Sequence, residues 1–372
     1  MANLTPRQYY NRTITRYISL FGEDDICEEC HKNFMVDCCN KCGNGICDKD
    51  TCCMIFPDKF KNKYYFAWSN GIVDEDSAGQ RVLISSSDDA IGWSKPICIA
   101  GDKNDKVVSH SSIGLYATKE KLYLIGGKMD CHRETSLPGM RRIDPESQNV
   151  EVYCSKDGKT WEHVFVFDDR IKGIFEAPRS TRDGHLLCIA ATKDGPAILR
   201  WPGTELCEHP EIILIPQLDG AIFPFGESSW YQTEDGTIIV LWRDEGFSCR
   251  LWVNYSRDEG VTFTPPRITD IPDSMSRIYA GRLDDGRYFL CNNAFPTLLN
   301  RMHLFLLISD DGYKFNQVYM AANDPTSQRL TGLLKVHGYQ YPCCLADGNK
   351  LLIGYSINKE DIECSMIDMT KI

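Results

Sequence analysis

A polar turn followed by a short apolar run recurs along this chain, and this repeat limits the possible folds more than any other pattern. Four clear copies contain Asp-Gly and recur every 50 to 62 residues: Asp183-Gly184, Asp235-Gly236, Asp285-Gly286 and Asp347-Gly348. Two weaker copies precede them, at Lys119-Glu120-Lys121 and Lys61-Asn62-Lys63. Asp-Gly between apolar runs predicts a β-hairpin, because glycine accepts the positive φ that such turns require. The sequence therefore contains six similar β-rich units.

A second turn motif falls later in four of the units, each time after an apolar run. It has the form Ser-x-Asp followed closely by Gly and then by Trp or Phe, and its copies are Ser155–Trp161, Ser256–Phe263, Ser309–Phe315 and the degenerate Ser87–Trp93. The Ser and Asp side chains can bind the turn backbone while the aromatic side chain packs into the sheet. Strand-and-turn units of this length, without sustained helical periodicity, predict an all-β fold: a six-bladed β-propeller with four-stranded antiparallel blades.

Composition narrows the partners that such a propeller could have. The 372 residues include 41 Lys and Arg against 52 Asp and Glu, which gives a net charge of −11. This balance disfavours nucleic acid, whose binding relies on clustered basic residues. No apolar run approaches the about 18 residues of a membrane span, and the first residues lack the apolar stretch of a signal peptide. We therefore expect a cytoplasmic monomer that binds neither nucleic acid nor membrane.

Cysteine is unusually frequent, with 18 residues in the chain, and eight of them crowd between Cys27 and Cys53. Two Cys-x2-Cys pairs in this N-terminal cluster could hold a structural zinc ion. Disulfide bonds and a loop of free thiols are the alternatives. We expect residues 1–57 to form a Cys-rich segment packed on or closing the propeller, and residues 58–372 to form the propeller itself. No other cofactor, and no metal in the functional site, is expected.

Several polar residues are predicted to lie at strand ends facing the central channel. Glu227 opens a strand of the fourth unit and Arg243 ends the returning strand, so the two should be neighbours in an antiparallel pair. Arg301 begins a strand of the fifth unit, and Tyr341 precedes the hairpin of the last unit. An acidic loop in the first unit, residues 71–80, contains Asp74 and Asp76. Together these side chains are candidates for a functional site at the channel.

The Ser-x-Asp turns resemble the Asp boxes, or BNR repeats, of the sialidase-like six-bladed propellers, and the resemblance extends over about residues 58 to 370. It implies an exo-α-sialidase-like glycoside hydrolase that removes a terminal, acidic sugar from a glycan.

In this resemblance Tyr341 is the nucleophile, because an anionic nucleophile would be repelled by the substrate's own carboxylate. Glu227 is its base, and Asp74, with Asp76 as the substitute, is the acid/base. Arg243 and Arg301 would bind the sugar's carboxylate through paired hydrogen bonds. Hydrolysis through Tyr341 would retain the anomeric configuration.

The sequence departs from sialidases where their first strand supplies an arginine, because Thr51–Asp58 contains none. Arg16 lies too far upstream to be assigned to that place. Arg277 or Arg282 could supply the missing positive charge, and we assign Arg277 to substrate binding. The identity of the sugar stays open.

Two other functions remain open at this point. A polysaccharide lyase, or a hydrolase for a uronate or another sugar, would use a base such as His110, which lies where the second blade begins. A non-catalytic glycan-binding propeller would stack sugars on exposed aromatic side chains such as Trp230 and Tyr231.

Overall fold

The computed structural model describes residues 12–17, 51–71, 74–134, 141–217, 225–330, 332 and 335–372. These residues form a six-bladed β-propeller, as the repeat predicts, and each blade is a four-stranded antiparallel sheet apart from the third, whose inner strand is in two pieces. Among the described residues the helical structure consists of two 3-10 turns, Pro145–Ser147 and Met369–Lys371.

The strands are numbered in chain order, beginning with β1 (Arg12–Tyr17). Blade one contains β2 (Thr51–Phe60), β3 (Lys63–Gly71), β4 (Arg81–Ser87) and β5 (Ile97–Ala100). Blade two contains β6 (Val108–Ala117), β7 (Leu122–Asp130), β10 (Asn149–Ser155) and β11 (Glu162–Val166), with a small hairpin of β8 (Arg133–Glu134) and β9 (Arg141–Arg142) after β7. Blade three contains β12 (Ile171–Ile174), β13 (Arg179–Ser180), β14 (Leu186–Thr192), β15 (Gly195–Trp201) and β16 (Glu211–Leu214).

Blade four contains β17 (Phe225–Gln232), β18 (Ile238–Asp244), β19 (Arg250–Ser256) and β20 (Arg267–Pro272). Blade five contains β21 (Tyr279–Arg282), β22 (Tyr288–Asn292), β23 (Leu304–Ser309) and β24 (Gln317–Ala322). Blade six contains β25 (Tyr339–Asp347), β26 (Lys350–Ile357) and β27 (Asp361–Asp368), and β1 completes it as the outer strand.

The ring is closed by the two ends of the described chain. β1 pairs antiparallel with β27, from Arg12 opposite Ile367 to Tyr17 opposite Ile362. Since β1 is the outermost strand of blade six, Arg16 lies at the rim of the propeller and not at its channel. Blade one begins with β2 at Thr51, so part of its inner strand falls before residue 58.

The core lies between neighbouring blades, and it covers both faces of the inner strands. Trp230 packs between blades three and four, whereas the next residue, Tyr231, packs between blades four and five. These side chains are 3% and 4% exposed. The expectation that Trp230 and Tyr231 are exposed for sugar stacking is therefore wrong, because a propeller blade has a neighbour on each face.

The Asp boxes brace the connection between the third and fourth strands of their blades. In one of them, Ser155 Oγ donates to Asp157 Oδ1 at 3.0 Å and accepts from the Gly158 N–H at 2.8 Å. The other boxes repeat the Ser-to-Asp bond at 2.7 to 3.0 Å. Their aromatic residues pack against the inter-blade core: Trp93, Trp161, Phe263 and Phe315. Their scaffold role follows from these contacts.

Candidate active site

A cavity of about 800 Å³ opens at one end of the central channel, and each of the six blades contributes to its lining. The inner strand β17 runs from the cavity at Glu227 toward the Asp235-Gly236 turn, so the cavity and the Asp-Gly turns lie at opposite ends of the channel. Six residues singled out from the sequence line it: Asp76, Glu227, Arg243, Arg277, Arg301 and Tyr341.

Glu227 and Arg243 are neighbours, as the antiparallel pairing predicts. Arg243 Nη1 donates to Glu227 Oε2 where β17 and β18 meet the cavity. Burial by itself would raise the pKa of Glu227, but the positive charges of Arg243, Arg277 and Arg301 outweigh it and lower that pKa to about 2. Glu227 is therefore ionised at neutral pH and can accept a proton.

The arginines give the cavity a positive wall. Arg301 is 4% exposed and is held by bonds from Nη1 to Gln340 Oε1 at 2.7 Å and from Nη2 to Met275 O at 3.1 Å. The Nε atoms of Arg243 and Arg301 are buried without a hydrogen-bond partner among the described residues. Guanidinium groups fixed in this way suit a planar anion such as a carboxylate.

Tyr341 is presented by a distortion of the inner strand of blade six. The β25–β26 register shifts between Gln340 and Cys343, and Tyr341 itself has a φ of 55°, in the left-handed region. Its side chain is 7% exposed and lies at the cavity. Burial and the charges of Glu75 and Glu227 raise the pKa of Tyr341, while Lys359 and Arg301 act against that rise.

The polar contact at the Tyr341 hydroxyl is with Lys359. Its Nζ donates to Tyr341 Oη at 3.3 Å. Within the described part of the chain no hydrogen bond joins Tyr341 to Glu227, whose carboxylate binds Arg243 instead. Such bonds are often long without substrate and shorten when it binds. The expected base and nucleophile thus line the same cavity without touching in this state.

In the acidic loop of blade one, Asp76 lines the cavity, whereas Asp74 is not among the lining residues. Asp74 is fully buried, and its Oδ1 accepts from the Glu75 N–H at 2.9 Å. Burial and the adjacent Glu75 charge raise the pKa of Asp76 to about 7, with Lys359 and Arg142 opposing the rise. A carboxyl group with that pKa holds a proton near neutral pH, so the acid/base position fits Asp76, the substitute in the sequence analysis.

Lys359 is a site residue that the sequence analysis missed. It lines the cavity and its ammonium is buried, forming an ion pair with Glu75 Oε2. A signal was present in the sequence: Asn358 and Lys359 are the central residues of the tight turn between β26 and β27, where the second position usually holds glycine. A lysine in that position points to a role for its side chain.

His110 and Arg282 lie away from the cavity lining. On β6 it is Ser111 that lines the cavity, and adjacent side chains of a strand point to opposite faces. His110 lies 4.0 Å from Glu151, and burial lowers its pKa. Arg282 pairs with Glu234, next to an Asp-Gly turn at the far end of the channel. Of the two arginines considered for the missing charge, the cavity contains Arg277.

Among the described residues, no group of three or more His, Cys, Asp and Glu side chains could hold a metal ion. The side chains of the Cys27–Cys53 cluster lie outside the described residues, so the expected zinc site stays a prediction. In the same part of the chain there is no helix with the length and apolar character needed to cross a membrane.

Comparison with known proteins agrees with this fold. A family model described as a BNR repeat-like domain matches residues 214–353, which include Glu227, Arg243, Arg277, Arg301 and Tyr341. No curated protein matches the chain.

Three solved structures show the fold relationship. A protein of unknown function from Dyadobacter fermentans is 16% identical with a TM-score of 0.64, covering 86% of this chain and 95% of its own. The NanB sialidase from Streptococcus pneumoniae is 13% identical with a TM-score of 0.64, and the match covers 86% of this chain and 69% of the sialidase. The intramolecular trans-sialidase from Ruminococcus gnavus is 12% identical with a TM-score of 0.62, and the match covers 86% of this chain and 95% of the trans-sialidase. The chain thus has the six-bladed propeller fold of the sialidases, with BNR-type repeats.

Proposed function

We propose that this protein is an exo-acting glycoside hydrolase of the sialidase type, which removes a terminal acidic sugar from a glycan. The observation that carries the proposal is the convergence of Tyr341, Glu227 and Asp76 on a cavity that also contains three arginines. An acid for the leaving oxygen and a group that traps the oxocarbenium-like centre are the two requirements of retaining glycoside hydrolysis.

In the first step Tyr341 Oη attacks the anomeric carbon, and its electron pair forms the new C–O bond. The phenol proton passes to Glu227, whose low pKa keeps it ionised beforehand. The bond to the leaving group breaks, and Asp76 gives its proton to the departing oxygen. The first step needs Asp76 protonated, which its raised pKa of about 7 allows near neutral pH.

In the second step water attacks the anomeric carbon and transfers a proton to Asp76. The bond to Tyr341 breaks, its electron pair returns to Oη, and Glu227 returns the proton. Two inversions at the same carbon give net retention. Arg243, Arg277 and Arg301 bind the carboxylate of the sugar, with Arg277 compensating for the arginine that Thr51–Asp58 lacks.

The two alternatives have less support from the geometry. A lyase using His110 as base is disfavoured because that side chain is not part of the cavity lining. A glycan-binding propeller that stacks sugars on Trp230 and Tyr231 is disfavoured because both are buried. Either could still use other residues, and the experiment below separates all three.

The test is a panel of sialosides, uronides and neutral aryl glycosides, with released sugar and products analysed by NMR. We expect turnover of an acidic glycoside with retained configuration at first release. Tyr341→Phe should lower the rate by about 10³-fold or more, because the nucleophile is lost. Tyr319→Phe, on outer strand β24 of blade five, is the matched control and should keep full activity.

Three outcomes would contradict the proposal. Binding without turnover across the panel would favour a glycan-binding propeller. An unsaturated uronate product, detected by its ultraviolet absorbance, would favour a lyase. Full activity in Tyr341→Phe would remove this nucleophile from the mechanism.

A further inference from the structure

Lys359 sits in a turn that is unfavourable for a lysine. Asn358 and Lys359 both have a φ of 55°, and the Glu360 N–H donates to Ile357 O at 2.8 Å, which defines a tight hairpin of the type that favours Asn-Gly. A side chain in the left-handed region is disfavoured relative to glycine. Strain of this kind is characteristic of functional positions when the surrounding structure holds it in place.

The neighbouring residues of the turn hold it firmly. Asn358 Oδ1 accepts from the Gly338 N–H at 2.7 Å. Glu360 Oε1 accepts from the N–H groups of Leu330 at 2.6 Å and Arg329 at 2.9 Å. The turn is therefore fixed on both sides, and the Lys359 side chain is directed into the cavity and not into solvent.

The surroundings of the Lys359 ammonium are those of a buried charge placed at a reactive atom. The side chain is 4% exposed and its Nζ forms an ion pair with Glu75 Oε2. The same Nζ lies 3.3 Å from Tyr341 Oη and 4.8 Å from the centre of the Tyr341 ring. A lysine with a carboxylate partner stays charged despite burial.

At least five charged groups act on Tyr341 from the elements packed around it, and Arg243 of β18 is one of them. Glu75 from the blade-one loop and Glu227 from β17 disfavour a negative charge on its oxygen, whereas Arg301 and Lys359 favour one. Arg301 approaches the ring, with Cζ 5.8 Å from its centre. Among the described residues, Lys359 is the cation at hydrogen-bond distance from Tyr341 Oη.

We propose that Lys359 is a cationic hydrogen-bond donor that stabilises negative charge on Tyr341 Oη, and that Glu75 keeps this lysine charged and in position. Its use in catalysis rests on the proposed function. Negative charge develops on the phenol oxygen when Tyr341 gives its proton to Glu227 and attacks the sugar. It develops again when the bond between Oη and the anomeric carbon breaks. Lys359 transfers no proton in either step and lowers the energy of both.

The first test needs no substrate. 2,3,5-Trifluorotyrosine, whose phenol is several units more acidic than that of tyrosine, is placed at position 341 by codon suppression, and its ionisation is followed by ¹⁹F NMR as a function of pH. We expect Lys359→Gln to raise the pKa of this phenol by about 1 to 3 units, the effect of losing an adjacent opposite charge. Lys359→Arg retains the charge and should restore most of the original pKa.

Lys59→Gln is the matched control, because Lys59 also pairs with a carboxylate, Asp347 at 2.7 Å, and lies 5.0 Å from the ring centre of a tyrosine, Tyr64, away from the cavity. It should leave the pKa at position 341 unchanged. If Lys359→Gln fails to fold, the double variant Glu75→Gln/Lys359→Gln removes the unpaired carboxylate and is measured instead, against Glu75→Gln alone. An unchanged or lowered pKa without Lys359, or an equal rise in Lys59→Gln, would overturn the proposal.

The second test uses whichever glycoside the substrate panel identifies. Loss of Lys359 should slow breakdown of the glycosyl–Tyr341 intermediate, since phenolate becomes a poorer leaving group. Mass spectrometry of rapidly quenched Lys359→Gln should then show more sugar on the Tyr341 peptide than in the wild type. No accumulation in an active variant would exclude the catalytic role. A protein with no turnover can still pass the ¹⁹F test, so failure of the proposed function and failure of this inference are distinguishable.

Discussion

Two glutamate–arginine pairs lie along the central channel, and they differ in how many hydrogen bonds hold the arginine. One is Glu227 with Arg243 at the cavity. The other is Glu176 with Arg179, which lies further along the channel between blades three, four and five. The residue types are the same, so the pairs separate the effect of chemistry from the effect of surroundings.

Glu176 and Arg179 form a closed network. Arg179 Nη2 donates to both carboxylate oxygens of Glu176, at 2.8 and 2.9 Å, and Nη1 donates to Ala280 O at 2.8 Å. Its guanidinium also lies 4.9 Å from the Trp230 ring centre. Burial raises the pKa of Glu176, although Arg179 and Ser229 oppose the rise. This network ties three blades together.

Glu227 and Arg243 face a cavity of about 800 Å³ and share the field of two further arginines. The result is a carboxylate with a pKa of about 2, well below that of Glu176. The comparison teaches that a buried ion pair is structural when its bonds stay within the scaffold. The Glu227–Arg243 pair has fewer such bonds, and its cavity is larger than the volumes of about 240 and 360 Å³ that Arg179 lines.

The largest expected effect is on catalytic activity, and it should occur in the Glu227–Arg243 pair alone. Glu227→Gln should lower kcat by about 10²- to 10⁴-fold, because the base of Tyr341 is lost. Glu176→Gln should leave kcat within a few-fold in the folded protein. Initial rates on the substrate found by the panel provide the measurement. Equal losses of kcat in the two variants would remove the distinction.

The second prediction concerns the Glu176–Arg179 pair, where we expect a large effect on stability. Arg179→Met should lower the free energy of unfolding by about 3–5 kcal/mol, because it leaves Glu176 buried without its partner. Urea unfolding followed by circular dichroism measures this. Arg243→Met is the control and should cost less, since its partner Glu227 retains Arg277 and Arg301 nearby. A larger loss in Arg243→Met would reverse our interpretation of the two pairs.

The pH dependence of kcat/KM tests the proposed roles of Asp76 and Glu227 at the cavity. The first step needs Asp76 protonated, so kcat/KM should fall about tenfold per unit of pH above about 7. Because Glu227 has a pKa of about 2, the rate should not fall between pH 5 and 4, where an ordinary glutamate begins to take up a proton. Asp76→Asn, assayed with an activated aryl glycoside, should lose the alkaline limb. Persistence of that limb would assign it to another group.

The smallest effect concerns the scaffold that both pairs share. Ser155→Ala should lower the free energy of unfolding by about 1–3 kcal/mol, because the buried Gly158 N–H loses its acceptor. Activity of the folded variant should not change. Thermal melts and initial rates test this, and Thr160→Ala in the same Asp box is a milder control. A loss of activity at unchanged stability would contradict a purely scaffold role for this turn.

The fold could be predicted from the sequence because its signals are local. The six hairpin turns and the Asp boxes depend on residues close together in the chain, and Asp235-Gly236 shows the pattern directly between β17 and β18. The pairing of Glu227 with Arg243 followed from the same antiparallel geometry. Burial of Trp230 and Tyr231 follows from the propeller as a whole and not from the local sequence, because each blade has a neighbour on both faces.

The site was predictable only in part, because its remaining contacts are long-range. Lys359 and Glu75 are 284 residues apart in sequence, and nothing near either residue indicates that they meet. The choice between Asp74 and Asp76 depends on a loop in which Asp76 has a φ of 54°. That single backbone reversal decides which carboxyl group reaches the cavity.

The pairing of β1 with β27 also has a consequence for how the protein is made. Tyr17 lies opposite Ile362, so blade six joins segments from opposite ends of the described chain, and contacts of such separation form slowly. Until β1 docks, β27 presents an open edge that can pair with another chain. Tyr341 and Lys359 belong to this blade. The last blade to close during synthesis is thus the one that carries the proposed nucleophile, and a ribosome-bound chain would lack a complete cavity until its final strands emerge.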